Sequence, residues 1–271
     1  MTTMTVTDFV DRALLNSSRY QSDNKAIKTA LKNFSEWHTS NDYFDYFKLK
    51  DALTVIAGTD TIAKQVAPEL VDLMSNYSRK DYIEKARSSG DLHNASSQKW
   101  EESNIKTLAI QAAVFAPATE GLKEALLNLF KDKSEESSGL RLEVVKAFNK
   151  VNVDEAVINM LVTALSDKEN SVRLEAAKLL KTQKVNSNEI IDTFVKELKT
   201  EPLEDIKIVI VEILAQIGAN AVKSVPTLSN ELADTERVFA SDVHAGYQPF
   251  KYNRTLKLAI RDICNAASLK T

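Results

Sequence analysis

The chain has 271 residues, 44% of them hydrophobic, with only 6 Gly and 5 Pro, and 35 Lys and Arg against 38 Asp and Glu leave a formal charge of −3. This composition favours long helices over a strand-rich fold with its many turns, and the balanced charge lacks the basic excess of a dedicated duplex binder. Cys264 is the single cysteine, which excludes an intramolecular disulfide and a multi-cysteine metal site and points to a reducing compartment.

The opening MTTMTVTDFV has neither a cationic nor an apolar signal region, and the strongest apolar run, Ile208 to Val211, meets Glu212 at once. A soluble, cytoplasmic chain is the expectation. Residues 6–17 and 22–38 read as an N-terminal helix pair. Phe9, Val10, Ala13 and Leu14 share one face of the first, and Ile27, Ala30, Leu31 and Phe34 one face of the second, which Ser22 or Asp23 can cap. This pair departs from the pattern of the later helices, as a cap over residues 1–43 would. The aromatic cluster Trp37, Tyr43, Phe44, Tyr46 and Phe47 is read as packing where cap meets array, and His38 has no partner at ligand spacing.

A first repeat comes next, with helices near 44–57 and 61–75 separated by Gly58. Residues 77–103 then break the regularity: they are polar, Ser-rich and evenly charged, and a loop of that length is either functional or disordered. Arg79 to Arg87 can form a short helix, and Tyr77, Tyr82 and Trp100 would either fold back on the array or meet a partner. Four helix pairs succeed it, at 104–116 with 118–131, 139–149 with 153–166, 171–182 with 187–199, and 204–217 with 220–233. A second insertion occupies 235–252, at the same kind of junction as the first, so both are expected on one edge. The closing helix buries Leu256, Ala259, Ile260 and Ile263 at helical spacing, with Cys264 beside them as a small apolar filler.

The pairs repeat measurably. Asp132, Asp167, Thr200 and Asp234, each closing a second helix, stand 35, 33 and 34 residues apart, and Asn76 closes the first. Six residues before these anchors come Leu70, Leu126, Leu161, Phe194 and Leu228; two residues before come Met74, Phe130, Leu165, Leu198 and Leu232. Positions four apart share a helix face, so the two columns should bury together. Pro68 and Pro226 both fall eight residues before their anchors, where a proline in the first helical turn loses no hydrogen bond. The first helices align too, with a cation in each: Lys106, Arg141, Arg173, Lys207 and Arg254.

The unit formed by Leu161, Leu165, Asp167, Arg173, Ala176 and Ala177 resembles a HEAT repeat, and the resemblance runs over about residues 44–268. It implies an all-α, right-handed α-solenoid of about five to six HEAT-like helix pairs with an N-terminal helical cap. It also implies a polar ladder between turn acids and first-helix cations, here Asp132, Arg141, Asp167, Arg173 and Lys207.

No chemistry-bearing motif competes with an architectural reading. The glycines never cluster into a phosphate cradle, and the histidines at 38, 93 and 244 are too dispersed for a local metal site. The expectation is a non-catalytic scaffold that binds another protein or peptide through the inner face of its second helices and the two insertions, without a cofactor. The candidate contact residues are Tyr77, Arg79, Tyr82, His93, Trp100, His244, Tyr247, Phe250 and Tyr252. Two rivals stay open: a nucleic-acid-binding HEAT-like protein, and, because similar short repeats occur in phycobilin lyase subunits, a tetrapyrrole-handling subunit.

Overall fold

The computed structural model describes residues 24–36, 43–241 and 250–269, and every regular element among them is helical. The chain forms two units, Met1–Asn152 and Val153–Thr271. The expected first helix at 6–17, the caps Ser22 and Asp23, and Trp37 and His38 lie outside the described residues, as do the side chains of Tyr43 and Phe44.

In the first unit, α1 (Asn24–Ser35) lies on α2 (Tyr43–Ala57). All four residues expected on its inner face, Ile27, Ala30, Leu31 and Phe34, are buried. The spacing predicts one helix over 61–75, but the chain forms α3 (Asp60–Gln65) and α4 (Ala67–Asn76), divided at Val66 with φ −103° and ψ 14°. Pro68 is the cause: it has no N–H to donate, and its ring crowds the carbonyl four residues back, so a helix restarts with proline in its first turn.

The larger correction concerns 77–103. This stretch is not a loop but α5 (Lys80–Ser88), a turn at Gly90 with φ 78°, and the first half of α6 (Leu92–Ala113). The predicted helix at 104–116 is therefore the second half of a 22-residue helix. α6 touches α2, α3, α4, α5 and α8 and is the element around which this unit assembles. α7 (Leu122–Leu129) starts after Gly121, which takes φ 76°, and a 3₁₀ turn at Glu135–Ser137 leads into α8 (Ser138–Ala147).

The second unit opens with α9 (Glu155–Ala164), where Asp154 accepts the Val157 N–H, and continues with α10 (Asn170–Thr182) and α11 (Asn188–Thr200), where Ser187 accepts the Ile190 N–H. α12 (Glu204–Ile217) packs on α10, α11 and α14. A 3₁₀ segment at Gly218–Ser224 precedes α13 (Val225–Ser241), and α14 (Phe250–Ser268) closes the unit. Much of the second insertion thus prolongs α13, and 242–249 lie outside the described residues. The stretch Glu204–Arg237 is long and apolar enough to cross a membrane by length and composition. Here it is interrupted at Gly218, and Ile206, Ile208, Ile210, Val211, Ile213 and Leu214 are all buried. Cys264 is exposed, so it fills no core position.

Both repeat columns point inward. Leu70, Leu126, Leu161, Phe194 and Leu228 are each 0% exposed, and of the second column Met74, Phe130, Leu165 and Leu198 are buried while Leu232 is half-buried. The turns after these helices share a second pattern. Asp132 accepts the Ser134 N–H at 3.0 Å, Asp167 accepts that of Glu169 at 3.1 Å, and Glu201 accepts that of Leu203 at 2.9 Å. The acid of the third turn is therefore Glu201, one residue beyond the Thr200 anchor.

Cations from the first helices bind these turns largely through backbone oxygens. Arg141 donates to the carbonyls of Asp132 and Ser134 at 3.1 and 2.8 Å; Arg173 donates to those of Asp167 and Lys168 at 2.9 and 3.1 Å. Arg173 also grips Glu201 with two nitrogens, at 2.7 and 3.0 Å, tying one turn to the next. Lys207 instead donates to Glu231 at 2.9 Å. Because Arg173 and Glu201 are both buried, Glu201→Ala leaves an uncompensated guanidinium inside and should cost about 3–5 kcal/mol in urea unfolding. Arg261→Ala, which removes an exposed pair with Asp262, should change stability by less than about 1 kcal/mol in the same assay.

Candidate functional site

The segment joining α4 to α5 carries Tyr77 and Arg79, and Arg79 is buried although it carries a full charge. Its contacts come from α6, whose Gln98, Glu101 and Glu102 stand at helical spacing on one face. The Arg79 backbone N–H donates to Glu102 Oε2 at 3.0 Å, its Nε donates to Gln98 Oε1, and Nη2 lies 3.3 Å from Glu101 Oε2. Tyr77 accepts a long 3.5 Å hydrogen bond from Nη1, and burial raises its phenol above the ordinary range against the opposing pull of Arg79.

A second polar group adjoins the first. Glu102 Oε1 accepts from Lys106 Nζ at 2.8 Å, while Lys99 Nζ lies 3.8 Å from the same oxygen and 2.6 Å from Asp132 Oδ2. These side chains line a cleft of about 260 Å³ that also includes Met74, Ser75 and Asn128. Burial works against charge on Asp132, but hydrogen bonds from Lys99 and Ser134 prevail and hold its carboxyl far below the usual range. On Lys99, burial is likewise outweighed by Asp132 and Glu102, and the ammonium is raised.

The opposite face of α6 is open. Leu92 is 69% exposed and Trp100, two turns on, is 52% exposed, with exposed Ser96 between them. Exposed His93 stands beside Leu92 at the start of the helix. A bulky aromatic in this position is unusual, since the energetic gain from burying an indole is large.

Of the other predicted contact residues, His244 and Tyr247 lie outside the described residues, as do the side chains of Tyr82 in α5 and Phe250 at the start of α14. Tyr252 is 2% exposed and donates to Glu231 Oε2 at 3.1 Å, so it serves the interior of the second unit. Arg79 likewise serves the interior of the first. The residues that sequence reasoning missed are Leu92, Gln98, Lys99, Glu101 and Glu102. A signal was present: Gln98, Glu101 and Glu102 at i, i+3 and i+4 form a polar helix face able to receive one buried guanidinium. Among the described residues, no three His, Cys, Asp or Glu side chains gather at metal-ligating distance. The clustered charges pair with one another, which is the behaviour of a structural network.

No family model matches the chain, and no curated protein matches it. Among the solved structures that resemble the chain at a distance are two crystal structures of engineered proteins. One has a TM-score of 0.46 at 18% identity, covering 86% of this chain and 96% of that one. The other has a TM-score of 0.37 at 15% identity, covering 98% of this chain and 88% of that one. Scores this low carry no argument.

The depressed Asp132 carboxyl contributes stability that is fully present above its unfolded value of about 3.9 and is lost as pH falls below that toward the folded value. Asp132→Asn should therefore destabilise the chain by about 1–2 kcal/mol at pH 7. That gap should close steadily below about pH 4 in urea titrations run as a pH series.

Proposed function

We propose that the chain is a non-catalytic, HEAT-like helical-repeat protein of the cytoplasm that binds another protein, and that the open face of α6 is part of its docking surface. The observation that carries this reading is the pair Leu92 and Trp100, left in solvent on a helix whose other side is held by a buried polar network. Solvent-facing tryptophans on rigid supports are the residues that dominate protein interfaces when buried by a partner, because little conformational entropy remains to be lost. The two buried columns, with their spacing near 34 residues, support the repeat reading.

Charge supports a protein partner over a polyanion. Lys80, Asp81, Glu84, Lys85 and Arg87 are all exposed on the adjoining α5, and they mix both signs instead of forming a basic stripe.

The test places a photo-crosslinking amino acid at exposed position 96 and maps the adducts formed in cells by mass spectrometry. A defined protein adduct is expected, and Leu92→Ala with Trp100→Ala should cut its yield at least about ten-fold, the loss anticipated for a tryptophan hot spot. Lys178→Ala, an exposed change elsewhere, should leave it intact. An adduct yield indifferent to the double variant, or crosslinks to nucleic acid alone, would overturn the reading.

A further inference from the structure

α5 packs chiefly on α6, and among the described side chains its buried apolar contact is a small cluster in which Ile83 meets Ala95 of α6. At one end the chain turns through Gly90, where φ is 78° and the space beside its Cα is open. At the other end α5 is tied by polar contacts, where Arg79 reaches into α6.

Those contacts are not all favourable. Glu102 takes the Arg79 backbone N–H and Gln98 takes Nε, with good geometry. Glu101 is different: it is 4% exposed, its Oε2 is enclosed without a hydrogen bond, and the 3.3 Å approach to Arg79 Nη2 is its charge contact. An enclosed carboxylate oxygen that makes no hydrogen bond loses its hydration and gains little in exchange. Adjacent Glu102 is a second carboxylate on the same short face, already shared with Lys106. The result is visible in the carboxyl itself: burial raises Glu101 above the ordinary range, more than the attraction of Arg79 lowers it. When α5 lifts away, Arg79 leaves with it, and both charges recover water.

We propose that α5 is a strap over the flank of α6, latched by Arg79 onto Gln98 and Glu102 and counterweighted by the enclosed Glu101 carboxylate, so that it opens as a unit while the rest of the fold stays closed. Opening uncovers Ala95, one turn from Leu92 on the helix that also carries Trp100, and so enlarges the apolar face available on α6. The strap itself rests on the geometry at the root of α5 alone; only its use in exposing a larger docking face rests on the protein-binding reading.

Hydrogen–deuterium exchange of the full chain, read by mass spectrometry over residues 80–88, tests the strap without a partner. In the wild type these amides exchange faster than those of α4 or α10. Glu101→Gln keeps the shape and removes the enclosed charge, so it should slow exchange in α5 by about three- to ten-fold. Ile83→Ala should accelerate exchange in α5 and leave residues 105–113 of α6 unchanged. Faster or unchanged exchange in the Gln variant would overturn the proposal, because Glu101 would then be an ordinary stabilising partner of Arg79 or irrelevant to it. An effect of Ile83→Ala spread over the whole unit would overturn it as well. A confirmed strap with crosslinks indifferent to Leu92 and Trp100 would sink the docking reading alone.

Discussion

A helix pair has one apolar stripe too many to hide by itself, and this constraint organises the chain. The inner positions Leu70, Leu126, Leu161, Phe194 and Leu228 lose all contact with solvent only because other helices in the same unit lie against them. Each such side chain is worth about 1.5–3 kcal/mol on full burial. Several together can offset the ordering of a short helix that would be marginal alone. Connections can then stay brief and polar, and sequence between inner positions is free to vary.

Close stacking creates a second problem, because helix ends bring unpaired carbonyl groups together at each turn. The chain meets it with long cations from the next first helix. Arg141 and Arg173 lie buried with their guanidinium groups on turn carbonyls, while Asp132, Asp167 and Glu201 fold each turn by accepting the N–H two residues on. A guanidinium suits the task, as its several fixed donors can serve two carbonyls and a carboxylate at once. Arg173 does this, and its bidentate hold on Glu201 makes successive turns one hydrogen-bonded network.

Features set by local periodicity were legible in the sequence: the inner face of α1 and the two columns. What escaped was decided by partners distant in sequence. The 77–103 stretch lacks an apolar stripe because its helices bury Gln98, Glu101 and Glu102 against Arg79, 19 to 23 residues away, and a polar inner face looks like a solvated loop. The same reason moved Arg79 and Tyr252 from expected contact residues to interior ones, whereas Trp100 and His93 do stand exposed. Cys264 failed otherwise: it follows Ile263 directly, and adjacent helical residues diverge by about a hundred degrees, so a buried Ile263 turns its neighbour outward.

The two sides of α6 explain each other. A helix held by an apolar stripe must keep its large hydrophobic residues inward, because an outward tryptophan would compete for burial in alternative registers. Buried polar groups remove that degeneracy, since Arg79 reaches Gln98 and Glu102 with hydrogen-bond geometry in one register only. Hydrogen-bond geometry thus fixes the rotation of the N-terminal half of α6, leaving Leu92 and Trp100 outward without risk that the helix rolls them inside. A charge-rich anchor stabilises less than an apolar one of equal size, but it is indifferent to the hydrophobicity of the exposed face, which is the property a contact surface on a small helical unit requires.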